Sequence, residues 1–331
     1  MFDPSEVITH EDTKILARFF QSPITVASFR HSGLSRQGIA IKAKGQTFFI
    51  KQFDSELDEN LLLEKRLSKL TSIKALSPKL VGHIERYLIY EYVDHTILGE
   101  LTLSLEEKIG VTCKVLTQFQ QAIRIELPKL DVKKATLDLL AQCSLHDKTV
   151  ELIIEYIESL VLPVSNKLDV ICHGDLNFAN IIKPVGLDDV QIAKSSSKLI
   201  QNEDFLLIDF ESCCFAHPAF DIAMSIAINR LYDEMELNKV IGLFLEKLQE
   251  HKGNQLDFSI GVVMRYLPYC FLINGLWYFS KAVQLNSRKH MNLSIEQFHG
   301  LKKCVDCENN LLNKMRQEAN KSRLTTMRET R

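Results

Sequence analysis

The chain has 331 residues, enough for two lobes with substantial cores, because single domains usually run to about 100–200 residues. Its 40 basic and 42 acidic residues give a formal charge of -2, which argues against a nucleic-acid partner. The apolar stretches are too short or too interrupted for a membrane span, and the first residues lack the features of a secretory signal. We therefore expect a soluble, cytoplasmic protein with no nucleic-acid or membrane partner, and its oligomeric state stays open.

Three short β-like segments come first in the chain. They are Ile24–Phe29, Gly38–Ala43 and Thr47–Phe53, and short polar breaks separate them. Apolar segments of this length, bounded by polar breaks, predict three antiparallel strands.

The break between the first two strands contains Ser32, Gly33 and Gly38. Its glycines do not follow the pattern G-x-G-x-x-G. Ile39 and Ala40 stand where a P-loop needs a lysine and a serine or threonine, so a P-loop NTPase is disfavoured.

A lysine and a glutamate are predicted to meet inside the first lobe. Lys51 lies in the otherwise apolar third strand, and the next helix is predicted to begin near Ser55. At 100° per residue, Glu64 of this helix falls on the apolar stripe of Leu57 and Leu61. A carboxylate directed toward a core is costly unless it is paired, so Lys51 is its natural partner. The ordinary alternative is a lysine that faces solvent.

Two further strands, Lys79–Gly82 and Tyr87–Tyr92, complete a five-stranded N-terminal lobe that ends at residue 93. Beyond it, apolar residues recur every three or four positions over Leu98–Ile125 and Lys134–Leu160. This spacing predicts that the second lobe, residues 94–331, is mainly helical. The fold class is therefore α+β.

The chemistry-bearing residues lie in two turns that follow apolar runs. The first turn reads H-G-D-L-N-F-A-N, from His173 to Asn180, and the second reads I-D-F-E around Asp209. Phosphoryl transfer needs a carboxylate that meets the proton of the attacking hydroxyl, which suits Asp175. It also needs a carboxylate and a carboxamide that hold magnesium, which suits Asp209 and Asn180.

The pattern H-G-D-x-x-x-x-N followed by I-D-F-E resembles the aminoglycoside phosphotransferase and choline kinase family, small-molecule relatives of the protein kinases. The resemblance covers roughly residues 25–225 and is most specific at the two turns. It implies a bilobal, protein-kinase-like fold with a small antiparallel sheet and one helix in the N-terminal lobe. It also implies an ATP- and magnesium-dependent kinase that acts on a hydroxyl of a small metabolite.

The resemblance further assigns nucleotide contacts to the first lobe. The first break would cover the phosphates through backbone N–H groups, Lys51 would contact a phosphate with Glu64 holding it, and the hinge backbone would bind adenine. The implied nucleotide-binding residues are Ser32, Gly33, Lys51, Glu64, Glu91 and Val93.

Two features past the second turn bear on the acceptor. The family commonly has G-D-P-x-x-D-L-A where this chain has A-H-P-A-F-D-I-A, so His217 departs from the pattern and Asp221 keeps it. Asp221 is expected to brace the catalytic loop from a helix N-terminus. A cationic or amino-bearing acceptor, like thiamine, choline or an amino sugar, would suit the carboxylates and aromatic residues of this region. They are Glu211, Asp233, Glu234, Glu236 and the aromatic run from Tyr266 to Phe279, which helical spacing also explains as core.

Two alternatives remain open. A protein kinase is disfavoured because H-G-D replaces H-R-D, I-D-F-E replaces D-F-G, and no A-P-E segment follows. A nucleotide-binding pseudokinase scaffold is disfavoured because Lys51, Glu64, Asp175, Asn180 and Asp209 are all present.

Between the two turns, the segment Val185–Asp204 is expected to form an extended, mobile hairpin or loop at the surface.

Overall fold

The computed structural model describes residues 8–28, 38–70, 73–123, 125–162, 169–185, 205–252 and 258–304. Ser32, Gly33 and the predicted loop Val185–Asp204, apart from Val185, lie outside these ranges. The chain forms two compact units, each made of separate segments. The first comprises residues 1–102, 121–123 and 179–212, and the second comprises residues 103–120, 124–178 and 213–331. The predicted lobe boundary at residue 93 stays a prediction.

A five-stranded antiparallel sheet is the centre of the first unit, as predicted. Its spatial order is β1-β2-β3-β5-β4. The strands are β1 (Ile24–Ser28), β2 (Gly38–Ala43), β3 (Gln46–Gln52), β4 (Leu80–Ile84) and β5 (Tyr87–Glu91). Lys44 and Gly45 join β2 to β3 with φ angles of 49° and 75°, the left-handed conformation that two-residue hairpin turns favour.

Two helices cover opposite faces of this sheet. Helix α1 (His10–Phe20) contributes Leu16 and Phe20 to a core with Ile41 and Ile50. Helix α2 (Glu59–Ser68) lies over the other face, where Leu61 packs with the second core cluster. Helix α1 is an addition to the single helix that the sequence predicts for this lobe.

Helix α1 is fixed by hydrogen bonds as well as by packing. Thr9 and Asp12 form a reciprocal capping box at its start. The hydroxyl of Tyr87 on β5 donates to Oδ1 of Asp12, and Arg86 Nη2 contacts the same oxygen at 3.1 Å. Burial opposes ionisation of Asp12, but these hydrogen bonds hold its pKa below the usual value.

A three-stranded sheet of order β6-β8-β9 completes the described part of the first unit. Its strands are β6 (His95–Ile97), β8 (Ile181–Pro184) and β9 (Leu206–Leu207). Strand β8 directly follows the turn from His173 to Asn180, and β9 directly precedes the turn around Asp209. The pairing of β8 with β9 therefore places the end of the first turn beside the start of the second.

The second unit is mainly helical, as predicted. Its helices are α3 (Leu105–Ala122), α4 (Val132–Ala141), α5 (Asp147–Ser159), α6 (Ala219–Ile228), α7 (Leu237–Lys252), α8 (Ile260–Gln284) and α9 (Arg288–Cys304). One antiparallel strand pair joins β7 (Val170–Cys172) to β10 (Cys214–Ala216). The periodic segment Lys134–Leu160 is helical, as predicted, and holds parts of two helices, α4 and α5, with His146 as the N-cap of α5.

Helix α8 forms the core of the second unit and packs against α6 and α9. Among the described residues, it is the one helix long and apolar enough to cross a membrane by length and composition. However, 61% of the apolar 18-residue stretch in this helix is buried within the protein, as in a core helix.

Candidate active site

Strand β3 directs Lys51 into the protein. Side chains alternate along a strand, so Ile50 joins the core under α1, while Phe49, Lys51 and Phe53 face α2. Lys51 is only 7% exposed, and the alternative of a solvent-facing lysine is therefore wrong.

Helix α2 supplies the carboxylate that meets this lysine. Its N-cap is Asp58, whose side chain accepts from the N–H of Asn60, so the predicted start near Ser55 is wrong. Leu57 precedes the helix and is exposed, and it does not share the buried face. Glu64 does lie on a buried face, with Leu61 and Leu67.

Lys51 contacts three carboxylates at once. Its Nζ lies 2.6 Å from Oε2 of Glu64, 2.5 Å from Oδ1 of Asp209 and 3.1 Å from Oε2 of Glu211. The predicted contact between Lys51 and Glu64 is confirmed. From the sequence, Glu211 is predicted only as a contact of the acceptor, although its position two residues after Asp209 was a signal that the two carboxylates lie close together.

Burial and charge act in opposite directions on this cluster. Burial alone would lower the pKa of Lys51, but the charges of Glu64, Asp209 and Glu211 hold it well above its usual value. Burial raises the pKa of Glu64, Lys51 lowers it, and the like charges of Asp209 and Glu211 raise it further. One lysine therefore balances three closely spaced carboxylates.

The pairing of β8 with β9 sets the position of Asp209 beside Asn180. The N–H of Ile208 donates to the backbone oxygen of Asn180 at 3.0 Å, and Asp209 follows at once. Asp209 has a φ of 69°, a left-handed conformation that aspartate tolerates better than most residues. The carboxylate oxygens of Glu64, Asp209 and Glu211 lie within 4.8 Å of one another, and oxygen donors are what magnesium prefers.

The loop that carries Asp175 is held from behind by helix α6. Both oxygens of the fully buried Asp221 accept backbone N–H groups, from His173 and from Gly174, each at 2.9 Å. Gly174 has a φ of 80°, which a residue with a side chain rarely adopts. The N–H of Asp175 donates to Nδ1 of the buried His173 at 3.3 Å. The bracing role predicted for Asp221 is confirmed.

Asn229, the C-cap of α6, holds the same loop farther along and was not predicted from the sequence. Its Oδ1 accepts from the N–H of Phe178 at 2.8 Å, and its Nδ2 donates to the oxygen of Leu176 at 3.2 Å. The only signal in the sequence was its spacing of eight residues from Asp221, which places both near one side of a helix.

Of the two predicted hinge residues, Glu91 ends β5 and Val93 lies two residues beyond it. The carboxylate of Glu91 is exposed and pairs with Lys79 at 2.8 Å, and its N–H donates to the oxygen of Lys79 at 2.9 Å. The oxygen of Val93 lies 2.7 Å from Nδ1 of His95. Their proposed contact with adenine stays a prediction.

Most of the aromatic run in α8 is core. Tyr266, Tyr269, Phe271, Tyr278 and Phe279 are buried, while Trp277 is half-buried. His217 stacks on Tyr266, with ring centroids 5.5 Å apart, and accepts the N–H of Ala219 through Nδ1. Burial holds the pKa of His217 below its usual value, so it is neutral at pH 7.

Lys51→Met should destabilise the protein by about 3–5 kcal/mol, because three clustered carboxylates lose the buried lysine that they share. Denaturant unfolding measures this loss. Lys133→Met is the matched control, since it removes an exposed pair with Glu158 and should cost at most about 1 kcal/mol. Equal losses in the two variants would show that the Lys51 cluster carries no special stability.

Asp221→Ala should lower the free energy of unfolding by about 1–3 kcal/mol for each of the two buried N–H groups that lose their acceptor. Turnover should fall as well, because the loop that carries Asp175 loses its support. Asp147→Ala, at an exposed position of α5, serves as the control in the same denaturation series. Native-like unfolding and turnover in Asp221→Ala would contradict the bracing role.

Comparison with known proteins identifies a family model, described as choline/ethanolamine kinase, that matches residues 40–237. A choline kinase from Streptococcus pneumoniae is 16% identical, with a TM-score of 0.63 over 89% of this chain and 99% of its own. An ethanolamine kinase from Plasmodium vivax is 15% identical, with a TM-score of 0.56 over 91% and 84%. A spectinomycin phosphotransferase, solved with ADP and spectinomycin, is 15% identical, with a TM-score of 0.52 over 92% and 96%. At such identities the structures show the fold alone, and they confirm the predicted kinase-like fold. No curated protein sequence matches the chain.

Proposed function

The chain belongs to the choline/ethanolamine kinase family and is a kinase that acts on a hydroxyl acceptor, and from this premise we propose its substrates and the roles of its residues. It transfers the γ-phosphoryl group of ATP, with magnesium, to the hydroxyl of a small cationic or amino-bearing alcohol. The observation that carries the proposal is the cluster in which Lys51 contacts Glu64, Asp209 and Glu211.

The donor set of this cluster suits a magnesium-bound nucleotide. Asp209 and Asn180 would hold the ion, since both supply oxygen donors from the adjoining ends of β8 and β9. When bound, magnesium neutralises charge on the nucleotide phosphates. Lys51, held by Glu64, would contact a phosphate. The backbone at Ser32, Gly33, Glu91 and Val93 would complete the nucleotide contacts.

Asp175 would accept the proton of the attacking hydroxyl. Its backbone is positioned by His173, and the preceding Gly174 is held by Asp221, so the loop is fixed independently of any ligand. A general base of this kind typically contributes about 10²–10⁴-fold to the rate.

One part of the second unit lies within electrostatic range of Asp175. Burial raises the pKa of Tyr278, and the charges of Asp175 and Glu296 raise it further. The ring of Tyr278 is itself part of the core and is not offered to an acceptor. Tyr232 connects this region to a groove of the second unit, because its hydroxyl donates to the backbone oxygen of Glu296 at 3.0 Å.

The groove has a volume of about 560 Å³ and is lined in part by the three predicted acidic residues Asp233, Glu234 and Glu236. A small amino alcohol fits easily in this volume. Asp233 already pairs with Arg230 and Lys303, so its charge is largely balanced. Glu234 and Glu236 are exposed at the groove.

An acceptor screen tests the proposal. ADP release from Mg-ATP is measured with choline, ethanolamine, thiamine and an amino sugar. The matched control is 3,3-dimethylbutan-1-ol, which has the shape of choline without its charge. We expect turnover with at least one cationic acceptor and none with the neutral analogue.

Two other results of the screen separate the parts of the proposal. Turnover with only neutral or anionic acceptors would refute the proposed cationic acceptor class and leave the assignment as a kinase intact. Tight nucleotide binding without turnover of any acceptor would instead favour a pseudokinase scaffold.

A further inference from the structure

The second oxygen of Glu64 has a partner that phosphate binding does not require. Oε2 of Glu64 contacts Lys51, while Oε1 accepts a hydrogen bond from the hydroxyl of Tyr90 at 2.8 Å. The same hydroxyl lies 3.1 Å from Oγ of Ser68. Because the proton of Tyr90 is used toward Glu64, Ser68 is the donor in this second contact.

These groups are all removed from solvent. Tyr90 is 7% exposed, Ser68 is 3% exposed and Glu64 is 2% exposed. Hydrogen bonds in such an interior are strong and directional, and a carboxylate acceptor strengthens them further. The contact therefore restricts the side chain of Glu64.

One hydroxyl thus joins strand β5 to two positions of α2 that lie one helical turn apart. Glu64 and Ser68 are four residues apart in the sequence, so they share a face of α2. Strand β5 also pairs with β3, where Leu88 is opposite Lys51. Tyr90 therefore fixes α2 against the sheet at the point where Glu64 meets Lys51.

The charges around Glu64 explain why a neutral donor matters there. Lys51 on β3 faces it as a cation, and Asp209 and Glu211 face it as like charges. Lys51 is therefore shared among three carboxylates. A hydrogen bond from Tyr90 holds Glu64 without adding charge.

We propose that Tyr90 is a positioning residue that acts through Glu64 to hold Lys51 in place for a nucleotide phosphate, with Ser68 orienting the hydroxyl of Tyr90. This inference rests on the proposed function, since it assigns Lys51 to a phosphate. It adds a side chain on β5 to the Lys51 cluster, whose other members lie on β3, on α2 and in the turn around Asp209.

The chain offers a matched control for Tyr90→Phe. Tyr87 lies on the same strand, is also buried, and its hydroxyl also donates to a carboxylate, that of Asp12 on α1. Tyr87→Phe therefore removes the same kind of bond on the opposite face of the sheet, away from Lys51. A purely structural role would make the two variants alike.

We expect Tyr90→Phe to lower kcat by about 10-fold or more, with the acceptor KM changed by less than about twofold. Tyr87→Phe should leave both constants within about twofold of the wild type. Equal losses of kcat in the two variants, at equal thermal unfolding temperatures, would overturn the proposal. If Tyr90→Phe does not fold, Ser68→Ala is measured in its place, with a smaller loss of kcat of about threefold expected.

A double-mutant cycle tests whether the effect passes through Glu64. In the background of Glu64→Gln, Tyr90→Phe should lower kcat by less than about twofold, because the carboxylate that it positions is gone. A full, multiplicative loss in this background would contradict the proposed route.

Nucleotide binding separates failure of this inference from failure of the proposed function. Absence of wild-type turnover with every acceptor would refute the proposed reaction. The variants are then compared by calorimetry with Mg-ATP, where Tyr90→Phe should weaken binding by about threefold or more and Tyr87→Phe should not. Equal affinities in both variants would refute the positioning role of Tyr90.

Discussion

Asp175→Asn is expected to lower turnover by about 10²-fold or more, because asparagine cannot accept the proton of the attacking hydroxyl. Mg-ATP affinity should stay close to that of the wild type, since this carboxylate is assigned to the acceptor. The backbone contacts of the loop do not involve the changed atoms, so the N–H of residue 175 can still donate to His173. Steady-state ADP release and calorimetry with Mg-ATP measure the two quantities.

Asp147→Asn, at the exposed start of α5, is the control for this substitution and should behave like the wild type. Near-native turnover in Asp175→Asn would show that another group serves as the base. A large loss of nucleotide affinity would instead indicate that Asp175 is a ligand of the metal ion.

Asp209→Asn should weaken magnesium-dependent nucleotide binding by about 100-fold, because the proposed carboxylate ligand of the ion is lost. Asparagine is the appropriate replacement, since it also tolerates the φ of 69° at this position and has nearly the same shape. The backbone can therefore stay in place while the charge is removed. Calorimetry with ATP is performed with and without magnesium.

The measurement without magnesium is the internal control. Affinity for free ATP should change far less than affinity for Mg-ATP, and any change should be toward tighter binding, because a negative charge has been removed from the phosphate site. Unchanged affinity for Mg-ATP would refute the role of Asp209.

The sequence predicted the parts of the site that local patterns encode. Lys51 was identifiable because β3 is otherwise apolar, and Glu64 because a carboxylate on a buried helix face needs a cation. The turns around Asp175 and Asp209 were identifiable from their composition. In each case the relevant neighbours lie within one strand, one helix or one turn.

The contacts that were missed depend on distant segments. The contact of Tyr90 with Glu64 joins residues 26 apart, and that of Asn229 with Phe178 joins residues 51 apart. A tyrosine in an apolar strand and an asparagine after a helix have no local feature that announces such partners. Their roles follow from how the elements pack.

The helix boundaries were hard to predict for a different reason. Ser55 and Asp58 are both acceptable N-caps for α2, and their local chemistry does not decide between them. The break between α4 and α5 contains neither proline nor glycine, so the periodic pattern of the sequence continues across it.

The position of α1 has a practical consequence for trimming this protein. The segment that matches the family model begins at Ala40, inside β2, and ends at Leu237, the first residue of α7. A protein made of residues 40–237 alone would lack β1 and α1, the helix that covers one face of the sheet. Ile41, Ile50 and Ile89 would then be exposed to water. It would also delete α8, the core of the second unit. The segment that matches the family model is therefore not expected to fold by itself, and the bounds of the match should not be used to trim the protein.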